Sequence, residues 1–305
     1  MFSPGSLASS IGNNPLTLGA LMRAQAQPLG LALDEVPPAG GDGALSPGEA
    51  RRVVAAFQQL VEANVTLLER GAPMPAYDRA RRERLVEVGQ MALLARDVYL
   101  DQSDPALLPE GFSALSDAQA EQRFPDFDAR HDDSGFYSRI YHDANTNTYV
   151  VVNRGTDDGH AVTGVLNGTP DGRTNWALGN GNKARQADIA IENAQAVSNA
   201  TGGRVRFVGH SLGGALASLQ AARFDKPATV FNPLGLHEDL FAEYGASQAD
   251  FRQNVRSYVV RGDSVNSFNN TWGLETAPGT TMLAQRSDPH AMTSIMIGLY
   301  QRYNP

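Results

Sequence analysis

With 305 residues, 42% of them hydrophobic, the chain is long enough to bury a sizeable core, as one α/β domain with an appendage or as two domains. A formal net charge of −8 argues against non-specific attachment to nucleic acid. Zero cysteines exclude disulfides, thiolate nucleophiles and cysteine metal sites, and no apolar run has the length of a membrane-spanning helix.

Residues 1–45 are rich in Ser, Gly, Pro, Ala and Asn, with Pro37-Pro38-Ala39-Gly40-Gly41 near their end, and read as a flexible tail or linker. Arg23 is the first basic residue and no apolar segment ends in a small-x-small cleavage site. The expectation is a chain made in the cytoplasm without a signal peptide. Ser46-Pro47-Gly48-Glu49 has the composition of a helix start: a hydroxyl cap, proline at the first position and an acid three residues on. Val53, Val54, Phe57, Leu60, Val61, Val65 and Leu68 follow at helical spacing until Gly71. A second helix is predicted from about Tyr77 to Leu100, with Leu85, Val88, Leu93, Leu94 and Val98 on one face. These helices make residues 46–105 a helical extension ahead of a larger unit, 106–305. Arg79, Arg81, Arg82 and Arg84 cluster at the start of the second helix. A solvated face partly neutralised by Asp78 and Glu83 is favoured over attraction to anionic lipid head groups.

Asp126, Asp128, His131, Asp132 and Asp133 crowd a stretch without helix or strand pattern, and read as solvated groups in preference to a metal site. Phe136–Tyr141, a polar turn over Asp143–Thr148 and Tyr149–Val152 then predict a hairpin. That turn begins like a calcium loop, but Thr148 and Arg154 stand where such a loop needs glycine and glutamate. Helix and strand alternate from there: helix 183–200, strand 204–208, helix 212–224, strand 228–232, helix about 238–245 and strand 255–260. Such alternation builds an α/β fold, a mostly parallel sheet flanked by helices.

The most informative segment is Gly209-His210-Ser211-Leu212-Gly213-Gly214, set between the strand Val205–Val208 and the helical run from Ala215. Strand, sharp turn with G-x-S-x-G spacing and helix is the setting of a nucleophile elbow. Small residues two before and two after the serine let backbones crowd together, and the turn aims Leu212 N–H and the positive end of the new helix at a developing oxyanion. A serine hydroxyl needs a base. Only His237 and His290 follow Ser211, and His290, in the loop Ser287-Asp288-Pro289-His290 before a final apolar segment, is favoured. The acid must sit at the carboxyl end of a strand between them, and Asp263, after Ser257–Val260 and Arg261-Gly262, fits better than Asp239, Asp250, Glu275 or Asp288. A second oxyanion donor is expected after an earlier strand, where Val150-Val151-Val152-Asn153-Arg154-Gly155-Thr156 offers Thr156. His210, inside the elbow, reads as structural.

Arg154-Gly155-Thr156, the Gly209–Gly214 motif, Gly262-Asp263-Ser264-Val265 and the late histidine resemble the class 3 lipases, among them bacterial lipase-like and phospholipase-like proteins. Ala92–Tyr99 followed by Leu108–Phe112 is similar to their leader helix, so the resemblance spans residues 85–300. It implies an α/β-hydrolase fold with Ser211 as nucleophile, Asp263 and His290 as its partners, Thr156 and Leu212 at the oxyanion, and no cofactor or metal. The chain departs from the pattern at Asn153, where an aromatic residue usually precedes the arginine, and in a shorter spacing from Asp263 to His290 than in the fungal lipases. In the resembling proteins a lid follows the oxyanion residue. Residues 157–182, with Val162, Val165, Leu166, Trp176 and Leu178 among Gly, Asn and Thr, are read as such a lid or as an ordinary surface loop.

The expectation is a serine ester hydrolase acting on a phospholipid or other acyl-lipid substrate at a membrane surface. An acyltransferase on the same triad and an inactive interaction protein on the same scaffold are the alternatives. The expected lack of a signal peptide, the loose N-terminus and the resemblance together suggest an effector exported by a specialised secretion system and restrained by a cognate inhibitor (immunity) protein.

Overall fold

Ser46 opens helix α1 (Pro47–Glu69) with a reciprocal cap: its hydroxyl accepts the Glu49 N–H at 3.4 Å, and the Glu49 carboxylate accepts the Ser46 N–H at 2.8 Å. The computed structural model describes residues 45–156, 170–284 and 288–304, the side chains of 172 and 176 excepted. Helix α2 (Ala76–Asp97) packs along α1. Farther on come α3 (Asp117–Arg123), α4 (Pro170–Gly179), α5 (Arg185–Thr201), α6 (Leu212–Phe224), α7 (Asp239–Glu243), α8 (Gln248–Asn254), α9 (Ser264–Trp272) and α10 (Met292–Tyr303).

Among the described residues the strands form one sheet in the order β1 (Phe112–Ala114), β3 (Phe136–Asp143), β4 (Thr148–Asn153), β5 (Val205–His210), β6 (Ala228–Phe231), β7 (Val255–Val260) and β8 (Thr281–Leu283), with the two-residue β2 (Arg130–His131) paired to β3. The β1–β3 and β3–β4 pairs are antiparallel and every pair from β4 to β8 is parallel. Each parallel connection steps to the next strand in one direction. Right-handed crossovers of that kind carry their helices to a single face. Residues of α5, α6, α7 and α8 accordingly share one core with Tyr149, Val151, Phe207 and Val230. Alternate residues of the same strands, Val150, Val152, Val208 and Phe231, point to the other face. That face is covered by α1, α2 and α10, which bury Phe57, Leu60, Leu94 and Ile295 against it, each worth about 1.5–3 kcal/mol.

Polar anchors fix the two N-terminal helices. Arg139 donates to the Asp97 carboxylate at 3.1 Å and to the Asp97 carbonyl at 2.9 Å, while the Tyr141 hydroxyl donates to the same carboxylate at 2.6 Å. Arg139 also holds the Leu100 carbonyl at 2.9 Å. Past Asp97 the chain tightens into i→i+3 turns, Tyr99 N–H donating to the Arg96 carbonyl at 3.3 Å and Leu100 N–H to the Asp97 carbonyl at 2.9 Å, so α2 stops at Asp97, short of the predicted Leu100. The arginine cluster on α2 is not simply a solvated face. Arg81 donates to the Arg302 and Asn304 carbonyls at 2.8 and 3.2 Å, supplying the donors that the end of α10 lacks, and Arg82 donates to Asn64 of α1 at 2.5 Å.

Candidate active site

Strand β5 runs on through Gly209 and His210 and delivers Ser211 at its carboxyl end, between β4 and β6. Ser211 has φ 57° and ψ −127°, a backbone conformation that a non-glycine residue holds only under constraint. The constraint is visible. Its N–H donates to the Phe231 carbonyl at 3.0 Å and its carbonyl accepts the Leu234 N–H at 3.1 Å, pinning the turn to the end of β6. A Cβ at Gly209 would stand 2.0 Å from the Gly213 carbonyl oxygen, and one at Gly213 would stand 2.2 Å from that of Asn153. Both glycines are therefore required by backbone-to-backbone packing across the elbow.

Asp263 leaves β7 through Gly262 and caps α9, its Oδ1 accepting the Asn266 N–H at 2.7 Å. Its Oδ2 lies 2.6 Å from His290 Nδ1, and His290 Nε2 lies 3.0 Å from Ser211 Oγ. The Asp263 side chain is 0% exposed and that of His290 23% exposed, so the acid is sealed while the imidazole borders solvent. An ionised carboxylate only accepts, which puts the proton on Nδ1 and turns the Nε2 lone pair toward the serine hydroxyl. The three side chains thus form a proton-accepting chain that ends on Ser211. His237 stands apart: its Nδ1 accepts the Asp239 N–H at 3.3 Å and lies 3.4 Å from the Asp239 carboxylate.

Leu212 is the first residue of α6, where N–H groups have no partner within the helix and the positive end of the helix dipole lies. Thr156 lies in the segment that leaves β4, and its Oγ1 accepts from Asn175 Nδ2 of α4 at 3.4 Å. Asn153, the departure from the lipase pattern, is fully buried. It donates to Gln220 at 2.7 Å, and Gln220 donates to the Ala190 carbonyl at 2.7 Å, a polar ladder that ties β4, α6 and α5 together beneath the elbow. Of the expected lid, 157–169 and the Trp176 side chain lie outside the described residues, and 170–179 form helix α4, not a loop.

Sequence reasoning missed three polar residues here. Asn232 donates to the Pro289 carbonyl at 2.8 Å and accepts the Val260 N–H at 2.9 Å, fastening the histidine loop to the sheet. Asn175 reaches Thr156, as above. Tyr99 meets His210, whose imidazole is pushed well below its usual pKa by burial first and by the neighbouring His290 ring second, the His290 carbonyl contact opposing them. Helical and strand spacing carry no signal that links residues so distant in the chain, apart from Tyr99 ending the leader-like segment. The stretch holding Asp126 to Asp133 is more ordered than expected, with His131 in β2 and Asp132–Ser134 in a 3-10 turn. Among the described residues no group of three or more His, Asp or Glu side chains is arranged to hold a metal ion.

A mostly parallel sheet flanked by helices, with a strained serine at a strand end and histidine and aspartate in line with it, defines an α/β fold of the α/β-hydrolase type. Residues 90–297 match the model of a phospholipase-like family, the Tle-like phospholipase domain, and the chain belongs to that family. Over 172 residues it is 30% identical to the extracellular phospholipase A1 of Serratia liquefaciens, which covers 56% of this chain and 49% of that protein. The chain thus spans about half the length of this curated relative.

Proposed function

We propose that the chain is a serine carboxylic-ester hydrolase that releases a fatty acid from phospholipids in the manner of a phospholipase A1. The observation that carries this reading is the unbroken hydrogen-bonded series Ser211 Oγ, His290, Asp263, at 3.0 and 2.6 Å. His290 Nε2 takes the serine proton as Oγ attacks the ester carbonyl, and Asp263 stabilises the imidazolium that forms. The carbonyl oxygen becomes an oxyanion facing Leu212 N–H and Thr156. His290 then returns the proton to the departing lysophospholipid alcohol, leaving an acyl ester on Ser211. Water, deprotonated by the same imidazole, releases the acid and restores the serine. No step calls for a cofactor.

The test is product analysis on vesicles of a phosphatidylcholine carrying different acyl chains at its two positions. The expected products are the sn-1 fatty acid and the matching lysolipid, both lost in Ser211→Ala. Transfer of the acyl chain to an added alcohol in preference to water would point to an acyltransferase, and no turnover by folded protein would overturn the reading. The Serratia liquefaciens relative is an extracellular enzyme, and by extension we place this activity outside the producing cell. Export by a specialised secretion system and restraint by a cognate inhibitor protein complete that reading. It is tested by comparing culture fluid from secretion-competent and secretion-deficient cells.

A further inference from the structure

Every polar atom of the His210 side chain is engaged, although His210 is not a member of the Ser–His–Asp series. Its Nε2 lies 2.8 Å from the His290 carbonyl oxygen and its Nδ1 lies 2.8 Å from the Tyr99 hydroxyl. A carbonyl only accepts, so Nε2 carries the proton and Nδ1 presents a lone pair. The Tyr99 hydroxyl must then donate to Nδ1, and its oxygen accepts the Gly155 N–H at 3.1 Å. The bonds run in one direction without a conflict: Gly155 N–H to Tyr99 oxygen, Tyr99 O–H to His210 Nδ1, His210 Nε2–H to the His290 carbonyl.

The two ends of this series are functionally placed. Gly155 precedes Thr156, the candidate oxyanion donor, and a Cβ on it would stand 2.5 Å from the His210 carbonyl oxygen, so this loop lies hard against the elbow. The other end holds the backbone of the base itself. The His210 and His290 rings also pack with centroids 4.7 Å apart, and Asn232 adds a second donor to the His290 carbonyl at 3.3 Å. Burial keeps His210 neutral, which the series needs, because a protonated ring could not accept from Tyr99. Tyr99 itself is held by the turn after α2 that Arg139 clamps.

We propose that Tyr99 and His210 are positioning residues that act as a unit, holding the Gly155–Thr156 loop and the His290 backbone in register with Ser211. A segment at the end of the N-terminal helical layer thereby sets the precision of the reaction centre. This proposal rests on the hydrolase reading above. A group carried about 1 Å out of place costs on the order of a hundredfold in rate, whereas substrate binding does not depend on the relay.

The test is a double-mutant cycle of Tyr99→Phe and His210→Asn, read as kcat and KM on a soluble short-chain ester, with a thermal melt of each protein. Asn at 210 can still accept from Tyr99 but cannot reach the His290 carbonyl, so it keeps the experiment informative if Tyr99→Phe folds poorly. Each single variant should lose about tenfold to a hundredfold in kcat with KM within about twofold of wild type. The double variant should be no slower than the slower single one, because either change already breaks the series. Additive losses, a raised KM at unchanged kcat, or wild-type kcat in either folded variant would overturn the proposal. Wild-type protein that is inactive, or Ser211→Ala that is as active as wild type, would instead overturn the parent reading.

Discussion

Replacing Asp263 by asparagine tests the direction of the hydrogen bonds in the site while leaving its shape intact. The carboxylate has two committed oxygens: Oδ1 accepts the Asn266 N–H at 2.7 Å, and Oδ2 faces His290 Nδ1 at 2.6 Å. An amide nitrogen cannot accept from the Asn266 N–H, so asparagine must keep its oxygen there and turn its NH2 group toward His290. That forces Nδ1 to present a lone pair and moves the ring proton to Nε2, where it points at Ser211. The imidazole can no longer take the serine proton. A wrong-tautomer histidine of this kind lowers kcat about 10⁴-fold, equivalent to roughly 5.4 kcal/mol of transition-state stabilisation. Stability should change little, because asparagine caps a helix as well as aspartate does, whereas Asp263→Ala also loses the α9 cap at about 0.5–2 kcal/mol. Steady-state hydrolysis of a soluble chromogenic ester, paired with thermal melts, measures both effects. A folded Asp263→Asn protein with kcat within about tenfold of wild type would refute the tautomer argument.

Three further outcomes follow from the packing and the charges. Gly213→Ala places a Cβ 2.2 Å from a backbone oxygen that cannot move aside, so it should cost more than the ~1–3 kcal/mol of ordinary overpacking; a wild-type melting temperature would contradict the elbow geometry. Arg139→Met strands the Asp97 carboxylate, which is 4% exposed, and urea denaturation should show a loss of about 3–5 kcal/mol, a near-zero change ruling out a buried charge there. His210 has a folded pKa depressed below 6.5. Below that pH the unfolded chain binds a proton that the folded chain refuses, so this contribution is full above about pH 6.5 and is lost as pH falls toward the depressed value. The urea midpoint of wild type should therefore drop through that window more steeply than that of His210→Asn, and parallel curves would show that His210 is not held neutral.

Local chemistry made much of this molecule readable. The run Val255–Val260 is a strand and Leu212–Phe224 a helix over the residues expected, because an apolar β-branched stretch and a small-residue run after glycine each favour one state. The Ser46 cap was legible because all of its parts lie within four residues. Ser211, Asp263 and His290 meet as their chain order suggested. Helix α9 was not foreseen: Asn-rich and Ser-rich, it has poor intrinsic propensity and forms where Asp263 caps it and Val265 buries its face. Helix α8 is only two turns long, too short to impose a periodicity. Arg81 of α2 looked solvated because its acceptors, the carbonyls at the end of α10, lie more than two hundred residues away. His210 read as structural and Tyr99 as part of the leader-like segment, but their contact was not legible, since pairing across 111 positions leaves no local pattern.

Peptide mapping after treatment with a fluorophosphonate addresses the nucleophile most directly. One covalent adduct on the peptide containing Ser211, lost in Ser211→Ala together with phospholipid cleavage and formed much more slowly in His290→Ala, is the expected result. An adduct on another residue, or lipid hydrolysis that survives Ser211→Ala, would contradict the assignment of the reaction to this serine.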